Sequence, residues 1–257
     1  MKRIGIIAGL SPETTPKYCT GIDQYINRIK GGHSSADMII RTGDFDVYYD
    51  LMQKGSWDYI SHLICEEATI LAGCHCTYVA IASNTMHKIA DEVELAVECD
   101  PERFHEFVHI GDAIANKCQR FGAKRVAVLG TKVTMTEDFL KKRLRKNGLK
   151  VVDGFTDNTI AEVDRIIFDE LCYGKVYDSS MKFLQGVCQD FVEIQRRRSE
   201  PLDAIILGCT ELNMLIDNQF SYWLYKTYGC CIVDSTQAHI ERLAELSLHG
   251  DDDLVFP

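Results

Sequence analysis

Short apolar runs alternate along the chain with longer segments whose apolar residues recur at helical spacing. The runs that predict strands are residues 3–8, 38–42, 78–82, 125–129, 150–153, 204–207 and 230–234. The segments that predict helices are 15–30, 57–72, 104–121, 136–147, 158–172, 179–197 and 236–246. Strands that alternate with helices in this way are typical of parallel sheets covered by helices, so the pattern predicts an α/β protein.

Several predicted strands end in small or hydroxyl-bearing residues directly before a helix. These strand ends are GLS at 9–11, SNT at 83–85, GT at 130–131 and GCT at 208–210. In open α/β sheets, ligands bind beyond the carboxyl ends of the strands, where helix N-termini offer N–H groups to anions. We therefore expect the functional site at these strand ends.

Two of the strand ends resemble each other. IASNT at 81–85 and LGCTE at 207–211 are each an apolar strand that runs into a small nucleophilic residue and a polar pair. This echo suggests two related α/β halves that contribute one strand end each to a shared cleft. The charged stretch at 100–102 is a plausible crossing between the halves.

The charge of the chain limits the classes of binding partner that we expect. The formal net charge is -10, and the one dense basic run, Arg196 to Arg198, is short enough to be a solvated helix end. Nucleic acids and anionic membrane surfaces require basic patches, so neither is an expected partner. No stretch approaches the roughly 20 apolar residues of a membrane span.

The cysteines indicate a reducing compartment. There are eleven, an odd number without a disulfide-framework spacing, and the apolar run after Met1 is too short for a signal peptide. We expect reduced thiols in the cytoplasm. Cys74 and Cys76 flank His75 at a spacing that is wrong for zinc, and residues 5–11 lack a nucleotide-binding spacing. The sequence thus predicts neither a metal nor a cofactor.

At these strand ends the sequence resembles the aspartate/glutamate racemase family. The matching segments are 5–13, 55–58, 83–87, 109–113, 129–131 with 134–135, 208–212, and 234–236 with His239. They follow the family's order and cover nearly the whole chain. The resemblance implies a homodimeric, cofactor-independent racemase with two similar Rossmann-like parallel-sheet domains, related by pseudo-twofold symmetry, and an active site in the cleft between them. It places residues 1–100 with 212–257 in the first domain and 101–211 in the second.

Racemisation at Cα requires two acid/base groups on opposite sides of the carbon. A thiol suits this work, because its pKa of about 8.5 can be lowered by a helix N-terminus towards the working pH. Family members usually present one cysteine from each half, whereas this chain has Cys209 at the second position and Ser83 at the first. It therefore resembles members with a hydroxyl residue at the first position, and a serine is a poor resting base. We expect a lopsided racemase of an acidic amino acid that deprotonates readily only from the Cys209 face.

The expected substrate contacts surround these two residues. Asn84, Thr85 and Thr210 are placed to hold the α-carboxylate, and Glu211 can bind the α-ammonium group. The rest of the predicted substrate-binding set is Leu10, Ser11, Met52, Thr131 and Thr134. Related sequences favour glutamine where Met52 stands, which puts specificity for aspartate or glutamate in doubt.

Each of these residues also has a structural interpretation. Ser83 can be a helix N-cap, Glu211 can complement a helix dipole, and Thr131 and Thr134 can be turn and cap residues. His87 can tune Ser83 or can be purely structural. For the whole protein, two other functions stay open: a single-cysteine isomerase or decarboxylase of a dicarboxylic acid, and a degenerate protein that only binds an amino acid.

Overall fold

The computed structural model describes residues 1–98 and 105–249, and it divides the chain into two compact units. The first unit is Met1–Ile110 together with the segment from His239 onward, and the second is Gly111–Ala238. The predicted crossing at 100–102 and the start of the predicted helix at Phe104 lie outside the described residues.

The first unit contains a four-stranded parallel sheet in the order β2-β1-β3-β4. Its strands are β1 Ile4–Ala8, β2 Met38–Thr42, β3 Tyr78–Ile81 and β4 Glu106–Phe107. Its helices are α1 Thr14–Lys30, α2 Phe45–Gln53, α3 Trp57–Gly73 and α4 Ala90–Glu98. A 3₁₀ turn, Thr85–Ile89, joins β3 to α4.

Both faces of this sheet are buried. Along β1, Ile4 and Ile6 pack in one apolar cluster with α1, and Ile7 packs in another with α3. The first cluster also contains Ile240 and Leu243, so the C-terminal helix covers the same face as α1. Successive side chains of a strand point to opposite faces, which explains why the predicted strands read as continuous apolar runs.

The second unit repeats the same strand pattern, in the order β6-β5-β7-β8. Its strands are β5 Arg125–Gly130, β6 Lys150–Val151, β7 Ala204–Gly208 and β8 Cys231–Asp234, all parallel to their neighbours. The remaining helices are α5 Ile110–Arg120, α6 Lys132–Thr136, α7 Phe139–Lys146, α8 Asp157–Asp169, α9 Asp178–Arg197, α10 Asn218–Tyr228 and α11 Ser235–His249. The predicted α/β fold with two similar parallel sheets is confirmed.

Four sequence-based predictions differ from the structure. Residues 212–238 belong to the second unit, not the first, because β8 pairs with β7 from Ala204 opposite Cys231 to Leu207 opposite Asp234. Residues 105–110 belong to the first unit, not the second, because β4 pairs with β3. The strand β4 lies inside the predicted helix 104–121, because pairing with β3 overrides the local pattern. The predicted helix 136–147 corresponds to α7, which begins only at Phe139, because α6 precedes it as a separate short helix that ends at Thr136.

None of the described helices combines the length and hydropathy that are needed to cross a membrane.

The backbone at Gly9, directly after β1, lies close to the backbone of Gly43, and this contact yields a stability prediction. Gly9 and Gly55 have the same left-handed φ of +68°, but a Cβ on Gly9 would lie 2.6 Å from the Gly43 carbonyl oxygen, whereas a Cβ on Gly55 would meet nothing within 4 Å. Gly55→Ala should cost about 1 kcal/mol of unfolding free energy from left-handed strain alone. Gly9→Ala should cost about 1–3 kcal/mol more, because the clash adds to that strain. Urea unfolding followed by circular dichroism measures both, and equal losses would contradict the assigned close contact.

Candidate active site

In the second unit, the carboxyl ends of β5 and β7 lie side by side. Gly130 is the register partner of Gly208, and a Cβ on Gly130 would lie 2.6 Å from the Gly208 carbonyl oxygen. Position 130 therefore has no room for a side chain, and a Cβ on Gly208 would likewise lie 2.8 Å from Cγ1 of Val128. The residues that follow, Thr131 and Cys209, therefore leave the sheet at neighbouring positions.

Cys209 forms a hydrogen-bonded group with the two residues that follow it. Its side chain is 6% exposed, and its Sγ–H donates to Oε2 of Glu211 at 3.0 Å. The Thr210 hydroxyl donates to the same oxygen at 2.7 Å, and Glu211 is itself only 2% exposed. One buried carboxylate thus holds the thiol proton and orients both neighbouring side chains.

The electrostatics around Cys209 are opposite to the sequence-based expectation. Burial raises the pKa of the Cys209 thiol well above its usual value, and the adjacent Glu211 carboxylate raises it further. The expected lowering by a helix N-terminus is wrong, because only a three-residue 3₁₀ turn, Leu212–Met214, follows the motif. Cys209 therefore rests as a protonated thiol.

Thr131 and Thr134 lie beside the Cys209 strand end. Oγ1 of Thr131 accepts from the N–H of Thr134 at 3.3 Å and lies 3.0 Å from the Thr134 hydroxyl. Thr131 is thus the N-cap of α6, as its structural interpretation predicted. A Cβ on Gly208 would lie 3.3 Å from Cγ2 of Thr134, which places this threonine against the residue before Cys209.

In the first unit, Ser83 follows the end of β3. Its side chain is half-buried, and its Oγ accepts from the N–H of Met86 at 3.4 Å, a weak capping bond. This contact uses Ser83 as an acceptor and leaves its O–H able to donate. The next two residues, Asn84 and Thr85, are buried at the start of the 3₁₀ turn.

The β1 end lies next to the β3 end, since Ile7 pairs with Ile81. Ser11 follows β1, is 4% exposed, and its hydroxyl has no hydrogen-bond partner among the described residues. Buried hydroxyls are normally paired, so an unpaired one at a strand end is an apt ligand contact.

Leu10 and Met52 have apolar surroundings. Both pack in the cluster that α3 forms with the sheet, Leu10 fully buried and Met52 partly so. The neighbouring Gln53 is exposed. Any contact of Leu10 with a substrate would therefore use its backbone.

Sequence reasoning assigned no role to Thr236, although it noted the motif at 234–236. Thr236 is 2% exposed, and its hydroxyl has no partner among the described residues. Its N–H donates to Oδ1 of Asp234 at 2.8 Å, and Oδ2 of Asp234 accepts from Asn213 at 2.7 Å. These bonds tie the end of β8 to the turn that follows Cys209.

Within the described ranges, no group of three or more His, Cys, Asp or Glu side chains is arranged to hold a metal ion.

Comparison with known proteins identifies the family. The profile of the Asp/Glu/Hydantoin racemase family matches residues 7–243. The broad specificity amino-acid racemase RacX of Bacillus subtilis (strain 168) is 25% identical over 236 residues, which cover 91% of this chain and 96% of RacX. The chain belongs to the Asp/Glu/hydantoin racemase family, and the sequence-based assignment to the amino-acid racemases among the isomerases is confirmed.

Two solved structures are similar over nearly the whole chain. A candidate Asp/Glu racemase from Yersinia pestis is 30% identical, with a TM-score of 0.81 and coverage of 97% of this chain and 100% of its own. An aspartate racemase homologue from Pyrococcus horikoshii OT3 is also 30% identical, with a TM-score of 0.73 and the same coverage. The two-sheet architecture is thus shared with racemase-type structures.

The Cys209–Glu211 pair predicts a reactivity change. Glu211→Gln removes the carboxylate charge that raises the pKa of the Cys209 thiol, while burial continues to raise it. Alkylation of Cys209 by iodoacetamide, followed by peptide mass spectrometry across a pH series, should therefore reach half its maximal rate at a lower pH than in the unmodified protein.

Glu193→Gln is the matched control for this experiment. Glu193 accepts from Tyr228 and Arg197 and is not among the groups that shift the pKa of Cys209. Its loss should leave the pH midpoint of Cys209 alkylation in place. An unchanged midpoint in Glu211→Gln would contradict the assigned pair.

Proposed function

We propose that this protein is a cofactor-independent racemase that inverts an amino acid at Cα, with Cys209 and Ser83 as its two acid/base groups. The observation that carries the proposal is the buried Cys209 thiol, which donates to the Glu211 carboxylate at 3.0 Å at a strand end. Acidic amino acids are the proposed substrates. Membership of the Asp/Glu/hydantoin racemase family supports that choice, and so does the similarity to an aspartate racemase homologue.

The proposed reaction begins with Cys209. Its proton passes from Sγ to the Glu211 carboxylate, and the resulting thiolate removes the Cα proton from one face of the substrate. Glu211 is suited to this step because its Oε2 already accepts the thiol hydrogen. The raised pKa of Cys209 makes the thiolate scarce but strongly basic, which favours removal of a proton from a weak carbon acid.

Ser83 is proposed to return a proton to the opposite face. Its O–H donates to the carbanion, and the alkoxide that forms accepts the Met86 N–H and is reprotonated by solvent. The proton on Glu211 leaves to solvent, so no proton is gained or lost in a full turnover. A hydroxyl is a far weaker resting base than a thiolate, and inversion is accordingly slower than exchange at the Cys209 face.

The substrate's carboxylate requires hydrogen-bond donors as the carbanion forms. We assign this role to the hydroxyl of Ser11, to Asn84 and Thr85, and to the backbone N–H of Thr210, whose hydroxyl donates to Glu211. These residues follow the ends of β1, β3 and β7. The support is that all four are buried and that the Ser11 hydroxyl has no other partner among the described residues.

The proposal also covers the oligomeric state and the cellular location of the protein. A homodimer is proposed on the family resemblance, and a cytoplasmic location on the use of cysteine.

The decisive variant is Cys209→Ala. In deuterated water with L- and D-aspartate and L- and D-glutamate supplied separately, proton NMR follows loss of the Cα signal, and chiral chromatography follows inversion. Cys209→Ala should lower Cα exchange by about 10²–10⁴-fold, the usual contribution of a general acid/base. The control Cys74→Ala, which removes an exposed thiol, should exchange normally.

The other outcomes of this assay separate the alternatives. Undiminished Cα exchange in Cys209→Ala would contradict the proposed mechanism. Saturable binding without exchange in the unmodified protein would indicate a binding protein. Release of carbon dioxide from an arylmalonate, or conversion of maleate to fumarate, would indicate the single-cysteine decarboxylase or isomerase that the serine at position 83 makes conceivable.

The serine at position 83 yields a separate prediction. Ser83→Cys supplies a second thiol, and it should raise the rate of inversion relative to Cα exchange by about tenfold or more. Ser83→Ala should lower the same ratio, since it removes the proposed donor. If Ser83→Ala inverts as fast as the unmodified protein, another group returns the proton.

A further inference from the structure

His87 lies between the Ser83 motif and the start of α5. It is 2% exposed, its Nδ1 is 2.7 Å from the Ser83 carbonyl oxygen, and its Nε2 is 3.0 Å from the backbone nitrogen of Ile110. These contacts join the turn after β3 to the segment after β4 within the first unit.

The hydrogen bonds define the protonation of His87. The Ile110 N–H can only donate, so Nε2 is the acceptor and carries no hydrogen. Nδ1 therefore carries the hydrogen and donates it to the Ser83 carbonyl. A protonated ring would set its Nε2–H against the Ile110 N–H, so this geometry requires the neutral ring.

The aromatic residues that pack against His87 are themselves buried. Its ring centroid is 4.5 Å from that of His109 and 5.7 Å from that of Phe107. On the other side of His109, the Nε2–H of His239 donates to the Val108 carbonyl at 2.9 Å. The backbone on both sides of His109 is thus held by a buried imidazole, which gives His87 a fixed anchor.

We infer that His87 is a positioning residue that holds Ser83 in place for proton return, an inference that rests on the proposed function. The bond to the Ser83 carbonyl orients the peptide plane that follows Ser83, and the only hydrogen bond at the Ser83 hydroxyl among the described residues is the weak one from Met86 at 3.4 Å. The direction of the hydroxyl therefore depends on the backbone that His87 fixes. Proton transfer is sensitive to such placement, and small displacements cost large factors in rate.

Three substitutions separate the two hydrogen bonds of His87. His87→Leu removes both. His87→Asn keeps an amide donor near the position of Nδ1, whereas His87→Gln keeps an acceptor near the position of Nε2. If positioning works through the Ser83 carbonyl, His87→Asn should preserve more of the function than either of the others.

The readout is the ratio of inversion to Cα exchange in deuterated water, with L- and D-aspartate and L- and D-glutamate. Exchange with retention requires only the Cys209 face, whereas inversion also requires Ser83. His87→Leu should lower the ratio about tenfold or more, because only the Ser83 step loses its geometry. His87→Asn should restore at least part of it.

His105→Leu is the matched structural control. His105 is also buried in the first unit, and its Nδ1 pairs with a backbone carbonyl, that of Cys76, at 2.8 Å. Among the described residues, its hydrogen bond is to Cys76 and not to the Ser83 turn, so its loss should leave the ratio unchanged even if it lowers stability.

Each outcome of these measurements either supports or overturns the inference about His87. A fall in exchange and inversion by the same factor in His87→Leu would show a purely structural histidine and overturn it, as would an unchanged ratio. A ratio restored equally by Asn and Gln would overturn the route through the Ser83 carbonyl. If the unmodified protein shows no exchange with any of the four substrates, the proposed function itself fails, and the inference fails with it.

Discussion

The burial of both faces of each sheet determines where this protein can place its chemistry. β1, β3, β5 and β7 are lined with apolar side chains, and a polar group in the middle of such a strand would lose its hydration without compensation. Polar side chains are therefore tolerated only where a strand ends. Because neighbouring strands are parallel, their carboxyl ends lie at the same edge, and the residues that follow are brought together. The ends of β1 and β3, which precede Ser11 and Ser83, are adjacent in this way. The ends of β5 and β7, which precede Thr131 and Cys209, are adjacent as well.

The same burial accounts for the character of Cys209. A thiol at an exposed helix N-terminus would have a lowered pKa and would be a weak base. Cys209 instead continues the buried face of β7 with Ile205 and Leu207, and its hydrogen points to Glu211. Both features favour the neutral thiol. In the proposed reaction, a carbon acid as weak as an amino acid's Cα–H requires a strong base that is generated locally. The Glu211 carboxylate, 3.0 Å from the sulfur, is the group proposed to generate it.

Ser83 occupies the equivalent position of the first unit but in a different environment. It is half-buried, it has no carboxylate two residues further on, and it follows its strand into a turn that His87 holds. The two strand ends thus share a backbone design and differ in their acid/base groups. This difference is the physical basis of the asymmetry proposed between the two faces of the substrate.

The sequence by itself determined the α/β class and most of the strands, and it supplied the residues around which the proposed site is built. Strands buried on both faces are apolar without interruption, so local patterning is enough to find them, and the polar residues at their ends stand out. Only the tertiary structure decided the rest. β4 is two residues long and exists because β3 is beside it, and residues 212–238 belong to the second unit because β8 pairs with β7. The raised pKa of Cys209 and the tautomer of His87 depend on burial and on partners such as Ile110, which is 23 residues from His87 in the chain. A local pattern carries no information about such contacts, since they are formed only when distant segments pack together.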